Sequence, residues 1–167
     1  MKIGNRTFIY DGLEVAELYQ NMARNDESAA RNLAQQNFYN QAAYFFVQAM
    51  EKYIKHHIAQ KINVTKKFFA DELGRTMGHS LDKSLRLLIK LYAGNDETLF
   101  EQMRRQIKQH VLKDVDFRFM NNSLRYPIYN ERHENYVLFT LNQADCNELN
   151  KILQALKNYL GDLNRVK

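Results

Sequence analysis

The chain has 167 residues, 45% of them apolar, with ten Phe, ten Tyr, six Gly, one Pro and one Cys. That length suits one core that needs no covalent staples, and the lone Cys146 excludes an internal disulfide and a cysteine-cluster metal site. A net charge of +5 and a pI near 9.2 favour phosphate-bearing partners over acidic repulsion.

No run of about 18 apolar residues is present, so no membrane span is expected. The opening "MKIGNRTFIYDG" lacks the apolar segment of a secretory signal. With one cysteine, a soluble cytoplasmic protein is the expectation.

Asp11 and Glu14 have capping-box spacing and predict a first helix with Val15, Leu18 and Met22 inward, ended by the polar "RNDES". Residues 1–25 are thus expected to form an N-terminal extension, and 26–167 a helical bundle. The dominant element is expected from about Ser28 to about Gln60. Its stripe is Ala30, Leu33, Ala34, Phe38, Ala42, Phe45, Ala49, Met50, Tyr53 and Ile54. As one rod it would be roughly 45–50 Å long.

A basic connector follows, with Thr65 as a possible cap and Phe68, Phe69 and Leu73 expected inside. From Lys52 to Lys90 nine basic residues face only Asp71, Glu72 and Asp82. Ser80 is placed to cap a helix carrying Leu81, Leu85, Leu88 and Tyr92, which Gly94 ends. The next helix begins near Asp96 and uses Leu99, Met103 and Ile107, bending near "DVDFRFMNN". "YVLFTLNQ" reads as a short strand or extended chain. Asp145 and Glu148 suggest a capping box for the last helix, with Leu149, Ile152, Leu156 and Leu160 inward and Gly161 as its stop.

The fold expected is all-α: an antiparallel, up-and-down bundle of four to five helices around one long helix, with an extra N-terminal helix. No phosphate-cradling glycine loop or HExxH pattern occurs. His56 and His57 are adjacent and point about 100° apart on a helix, so they do not chelate as a pair. No cofactor and no metal site is expected. His79 stands just before the presumed cap Ser80, beside N–H donors that suit an anion. Arg105 and His110, five apart, would point about 140° apart on an α-helix.

Pro127, the only proline, follows Arg125 and Tyr126. Proline disfavours helix at Tyr126 and redirects the pair. Arg125 then offers a fork for phosphate and Tyr126 a ring for a base. The alternative is a structural corner, with Arg125 buried against a carboxylate such as Glu51.

Three motifs carry a family resemblance. Ala43, Phe46, Gln48, Ala49, Glu51, Lys52, Ile54 and Lys55 read as an Ala- and aromatic-rich helix. His79, Ser80 and Leu81 begin the next long helix, and Arg125, Tyr126 and Pro127 follow. In that order, over roughly residues 28 to 160, the chain resembles a HEPN domain of the Arg-Tyr-Pro branch. The resemblance implies a HEPN-like bundle of four main helices, a homodimer, and action on nucleotides or RNA. Many members are toxins that cut RNA with an Arg-to-His motif, paired with a nucleotidyltransferase antitoxin. Here Gln106 stands where Asn, Asp or His usually follows the arginine, and Arg105 and His110 precede the Arg-Tyr-Pro element. The implied function is therefore non-catalytic nucleotide or RNA binding through His79, Arg125, Tyr126, Lys55 and Glu51. The alternatives are a metal-independent RNase using Arg105 and His110, and a ligand-free interaction module.

Overall fold

In the computed structural model, which describes residues 3–76, 78–117 and 120–163, the chain is mostly helical. Asp11 opens α1 (Gly12–Gln35): its carboxylate accepts a hydrogen bond from the Leu13 N–H at 2.8 Å, covering a donor that every helix start leaves open. The helix does not stop at "RNDES". Asp26 pairs there with Lys52, and Glu27 is buried. The boundary drawn between residues 25 and 26 therefore falls inside α1.

The expected rod from 28 to 60 is two helices, α1 and α2 (Tyr39–Lys61). The break is at Asn37, whose φ of 66° is the left-handed conformation that ends helices and that asparagine tolerates. What reads in sequence as one stripe is two faces folded onto each other. Ala23, Ala30 and Ala34 of α1 and Ala42, Ala43 and Ala49 of α2 are all buried. Their short side chains let the two antiparallel backbones approach closely. Leu18 and Met22, expected inside, are 41% and 47% exposed, because alanines already fill the seam.

Beyond α2 come α3 (Lys67–Asp71) and a π-helical turn, Glu72–Thr76. Lys66, not Thr65, precedes α3, and Thr65 donates instead to Asn63 at 2.6 Å. Leu73 is buried but Phe68 is 74% exposed. Ser80 caps α4 (Leu81–Ala93) by accepting from the Lys83 N–H, and Gly94 ends it at φ 60°. His79, at the start of α4, meets Glu51, while Tyr92 near its end lies under Lys61. α4 thus runs in the same sense as α2. The expected alternation of direction holds from α1 to α2 and fails from α2 to α4, since the described residues 62–76 and 78–80 between them bring the start of α4 back beside the middle of α2.

Asp96 caps α5 (Glu97–Gln106), which widens into a second π turn, Ile107–Val111. A short α6 (Met120–Ser123) leads to a hairpin in which β1 (Ile128–Asn130) pairs antiparallel with β2 (Asn135–Val137), Tyr129 opposite Tyr136. The fold is therefore not purely helical. α7 (Gln143–Leu163) is opened by Asn142 and Asp145. The Asn142 carboxamide accepts from the Ala144 N–H at 2.7 Å, and Asp145 accepts from the Asn142 N–H at 2.9 Å. That reciprocal pair lies three residues ahead of the expected one. Gly161 lies within α7 and does not stop it.

The core collects Phe46, Met50, Ile54 and Ile58 of α2 with Leu88, Ile107, Ile152, Leu153, Leu156 and Leu160. α2 is the central member, packed against α1, α4 and α7. Among the described residues no helix is long and apolar enough to cross a membrane.

Candidate functional site

Tyr44, Glu51 and Lys55 stand seven and eleven residues along α2, so all three lie on nearly the same side of it. Glu51 and Lys55 join at 2.7 Å with side chains only 3% and 8% exposed. The Lys55 ammonium also donates to the Gly78 carbonyl at 2.8 Å. His79, 79% exposed, brings Nδ1 to 3.5 Å from the same Glu51 oxygen. The other oxygen, Oε2, is buried without a hydrogen-bond partner. Burial and then the Glu51 charge push the nearby Tyr19 phenol up from its ordinary pKa.

Three of the expected site residues, Glu51, Lys55 and His79, therefore come together, but not as a phosphate cradle. Lys55 was read as a basic residue open to ligand. Instead it is buried, and its charge is spent on Glu51 and a backbone carbonyl. Burying an ammonium is tolerable only with such partners.

Arg125 and Tyr126 lie beside the N-terminal part of α2, at Tyr44, and are both exposed. The Arg125 guanidinium sits 5.3 Å from the Tyr44 ring centre and 5.1 Å from that of Tyr126. It also donates to the Tyr126 hydroxyl at 3.1 Å. The buried contact between Arg125 and Glu51 is not formed: Glu51 takes Lys55 and His79, and the guanidinium stays in solvent on two rings. Pro127 is followed at once by β1, so the chain turns from α6 into an extended strand. The hairpin continues the aromatic surface, with Tyr129 and Tyr136 edge to face at 5.3 Å and 51% and 71% exposed.

Arg105 and His110 are exposed near the C-terminal end of α5. The π turn alters their relation. The Leu112 N–H bonds to the Ile107 carbonyl, five residues back, at 2.8 Å. A turn of that width brings residues five apart within it toward vertical alignment; His110 lies inside the turn and Arg105 two residues before it.

A second polar centre escaped the sequence reading. Glu27 lies on the buried alanine seam between Ala23 and Ala30 and is 7% exposed. One of its oxygens accepts from Arg31 (2.8 Å), Gln154 (3.0 Å) and Lys157 (3.2 Å). The other accepts from the Tyr53 hydroxyl and from Lys157, both at 2.9 Å. Burial alone would raise the Glu27 carboxyl, but hydrogen bonds from Lys157, Tyr53 and Gln154 hold it below its usual range. The same carboxylate, after burial itself, pushes the Tyr53 phenol well up. The sequence signal was a glutamate at i+4 from Ala23 on a face that is otherwise alanine. Above this centre opens a cleft of about 790 Å³ between α1, α2 and α7. His56 and His57 are at its wall, fixed by Nδ1 contacts to the Ala16 and Tyr53 carbonyls at 2.8 and 2.9 Å.

The chain matches no protein family, no curated protein and no solved structure.

Proposed function

We propose that this chain is a HEPN-like, non-catalytic homodimer that binds a nucleotide or a short RNA segment at the Arg125–Tyr126 corner. The observation that carries this reading is the exposed guanidinium of Arg125, laid on Tyr44 and Tyr126 and paired with no carboxylate among the described residues. Such an arginine keeps its charge for a phosphate, and the rings restrict its rotamers beforehand. The exposed rings of Tyr126, Tyr129 and Tyr136 offer stacking faces beside it. The three motifs behind the HEPN resemblance also meet on one helix: His79 touches Glu51, and Arg125 lies over Tyr44. The expected contribution of His79 is a partly exposed imidazole at the edge of this surface.

The test is a salt titration of binding to fluorescent single-stranded RNA and to nucleotides. Affinity should fall as salt rises, and Arg125→Ala should weaken it about tenfold or more with helicity unchanged. Absence of binding to either probe at low salt would remove the proposal.

The π turn favours a second reading, a metal-independent RNase with a nucleotidyltransferase partner. In that reaction the RNA 2′-oxygen bonds to the adjacent phosphorus as the P–O5′ bond breaks; His110 takes the 2′-hydroxyl proton and returns one to the departing 5′-oxygen, and Arg105 steadies the phosphorane charge. RNA left intact in EDTA, with His110→Ala indistinguishable from the parent, would dispose of it.

A further inference from the structure

We infer that the cleft between α1, α2 and α7 is a separate binding site for a small phosphate ester of about mononucleotide size. Its charged lining consists of Arg24, Arg31 and Lys157 around the single carboxylate of Glu27. One anion therefore faces three cations, and a formal surplus of positive charge remains without counting either histidine. His57 is held neutral at physiological pH because burial lowers its pKa.

Glu27 does more than reduce that charge. By accepting from both Arg31 and Lys157 it draws two long side chains to one point, so little rotamer entropy is left to lose when a phosphate arrives. Tyr53 stiffens the same point, since the Lys157 ammonium also lies 5.1 Å from its ring centre. Arg24 is exposed, and Arg31 and Lys157 keep 48% and 32% of their side-chain surface open, so the cations remain accessible. The rest of the lining is mostly neutral hydrogen-bonding side chains, among them Gln20, Ser28, Asn32 and Gln60. These suit the hydroxyls and ring nitrogens of a sugar or base. A volume near 790 Å³ is in the range of small-molecule sites. Arg125 and Tyr126 do not line this cleft.

Calorimetric titration of the full chain with inorganic pyrophosphate and with ADP at low salt tests the site. Saturable binding of at least one probe is expected, with one component that depends on Arg24. Heat from pyrophosphate assigns recognition to the phosphates themselves, and heat from ADP alone assigns part of it to the sugar and base. Arg24→Glu, a surface change that should leave helicity intact, should weaken binding at least tenfold. Lys157→Gln should weaken it too, whereas the component that Arg24→Glu removes should be unchanged in Arg125→Ala. No heat with either probe, full affinity in Arg24→Glu, or loss of that same component in Arg125→Ala would each overturn the inference. Loss of RNA binding alone would count against the Arg125 surface and not against this cleft.

Discussion

Lys157 of α7 reaches Glu27 of α1 across 130 positions of sequence, its ammonium 2.9 Å from one carboxylate oxygen and 3.2 Å from the other. The contact ties the last helix to the first over the ring of Tyr53, which belongs to the helix between them. Glu27→Ala should therefore destabilise the fold by about 1–3 kcal/mol, the cost of leaving a buried hydroxyl and partly exposed cations without their acceptor. Urea unfolding measures it. The sign with pH follows from the lowered carboxyl. Its stabilisation is complete above the unfolded pKa of about 4.5 and is lost as pH falls through the lower folded value. Glu27→Gln should flatten that acid limb.

His57 predicts a second, earlier loss. Burial lowers its folded pKa below the ordinary 6.5, so the unfolded chain binds a proton first as pH falls. Stability should begin to decline below about pH 6.5 and continue to the folded pKa. In His57→Gln the slope below about pH 6.5 should be reduced. An unchanged slope would mean that this imidazole is not buried in solution.

The hinge at Asn37 can be tested directly. Asn37→Gly should change stability by only a few tenths of a kcal/mol, since glycine adopts the left-handed conformation freely. Asn37→Val should cost about 1–2 kcal/mol. Were α1 and α2 one continuous rod, valine would be harmless and glycine the costly change.

Glu51 and Lys55 make opposite predictions singly and together. Glu51→Ala strands a buried ammonium and should cost about 3–5 kcal/mol. The double replacement Glu51→Leu with Lys55→Met removes both charges and the unpartnered Oε2, and should be about neutral or stabilising. Chemical denaturation of the parent and the two variants measures both changes.

Asn40 holds the return from the hairpin. Its carboxamide donates to the Phe139 carbonyl at 2.6 Å and accepts from the Leu141 N–H at 2.9 Å. Asn40→Ala should cost about 1–2 kcal/mol for the two bonds. It should also speed hydrogen exchange at the Leu141 amide while core helix amides stay protected.

Much of the secondary structure follows from local chemistry, and it was legible for that reason. Asp11, Ser80 and Asp96 cap because a short oxygen-bearing side chain next to free N–H groups needs no distant partner. Gly94 ends α4 because only its own φ is at issue. The meeting of Glu51 with Lys55 was accessible too, since they are one helical turn apart, but that His79 joins them was not, because it comes from the start of another helix. Three-dimensional packing decided the rest. Whether "RNDES" ends a helix depended on Lys52, Tyr53 and Lys157, none of them adjacent in sequence. The two α-helical stripes share one period, so periodicity continued across Asn37, and only the contact of one alanine face with the other showed the fold-back. Lys55 in sequence is a surface cation. Its burial became visible once Gly78 and Glu51 closed over it, because the solvation of a charge is set by everything that surrounds it and not by its neighbours along the chain.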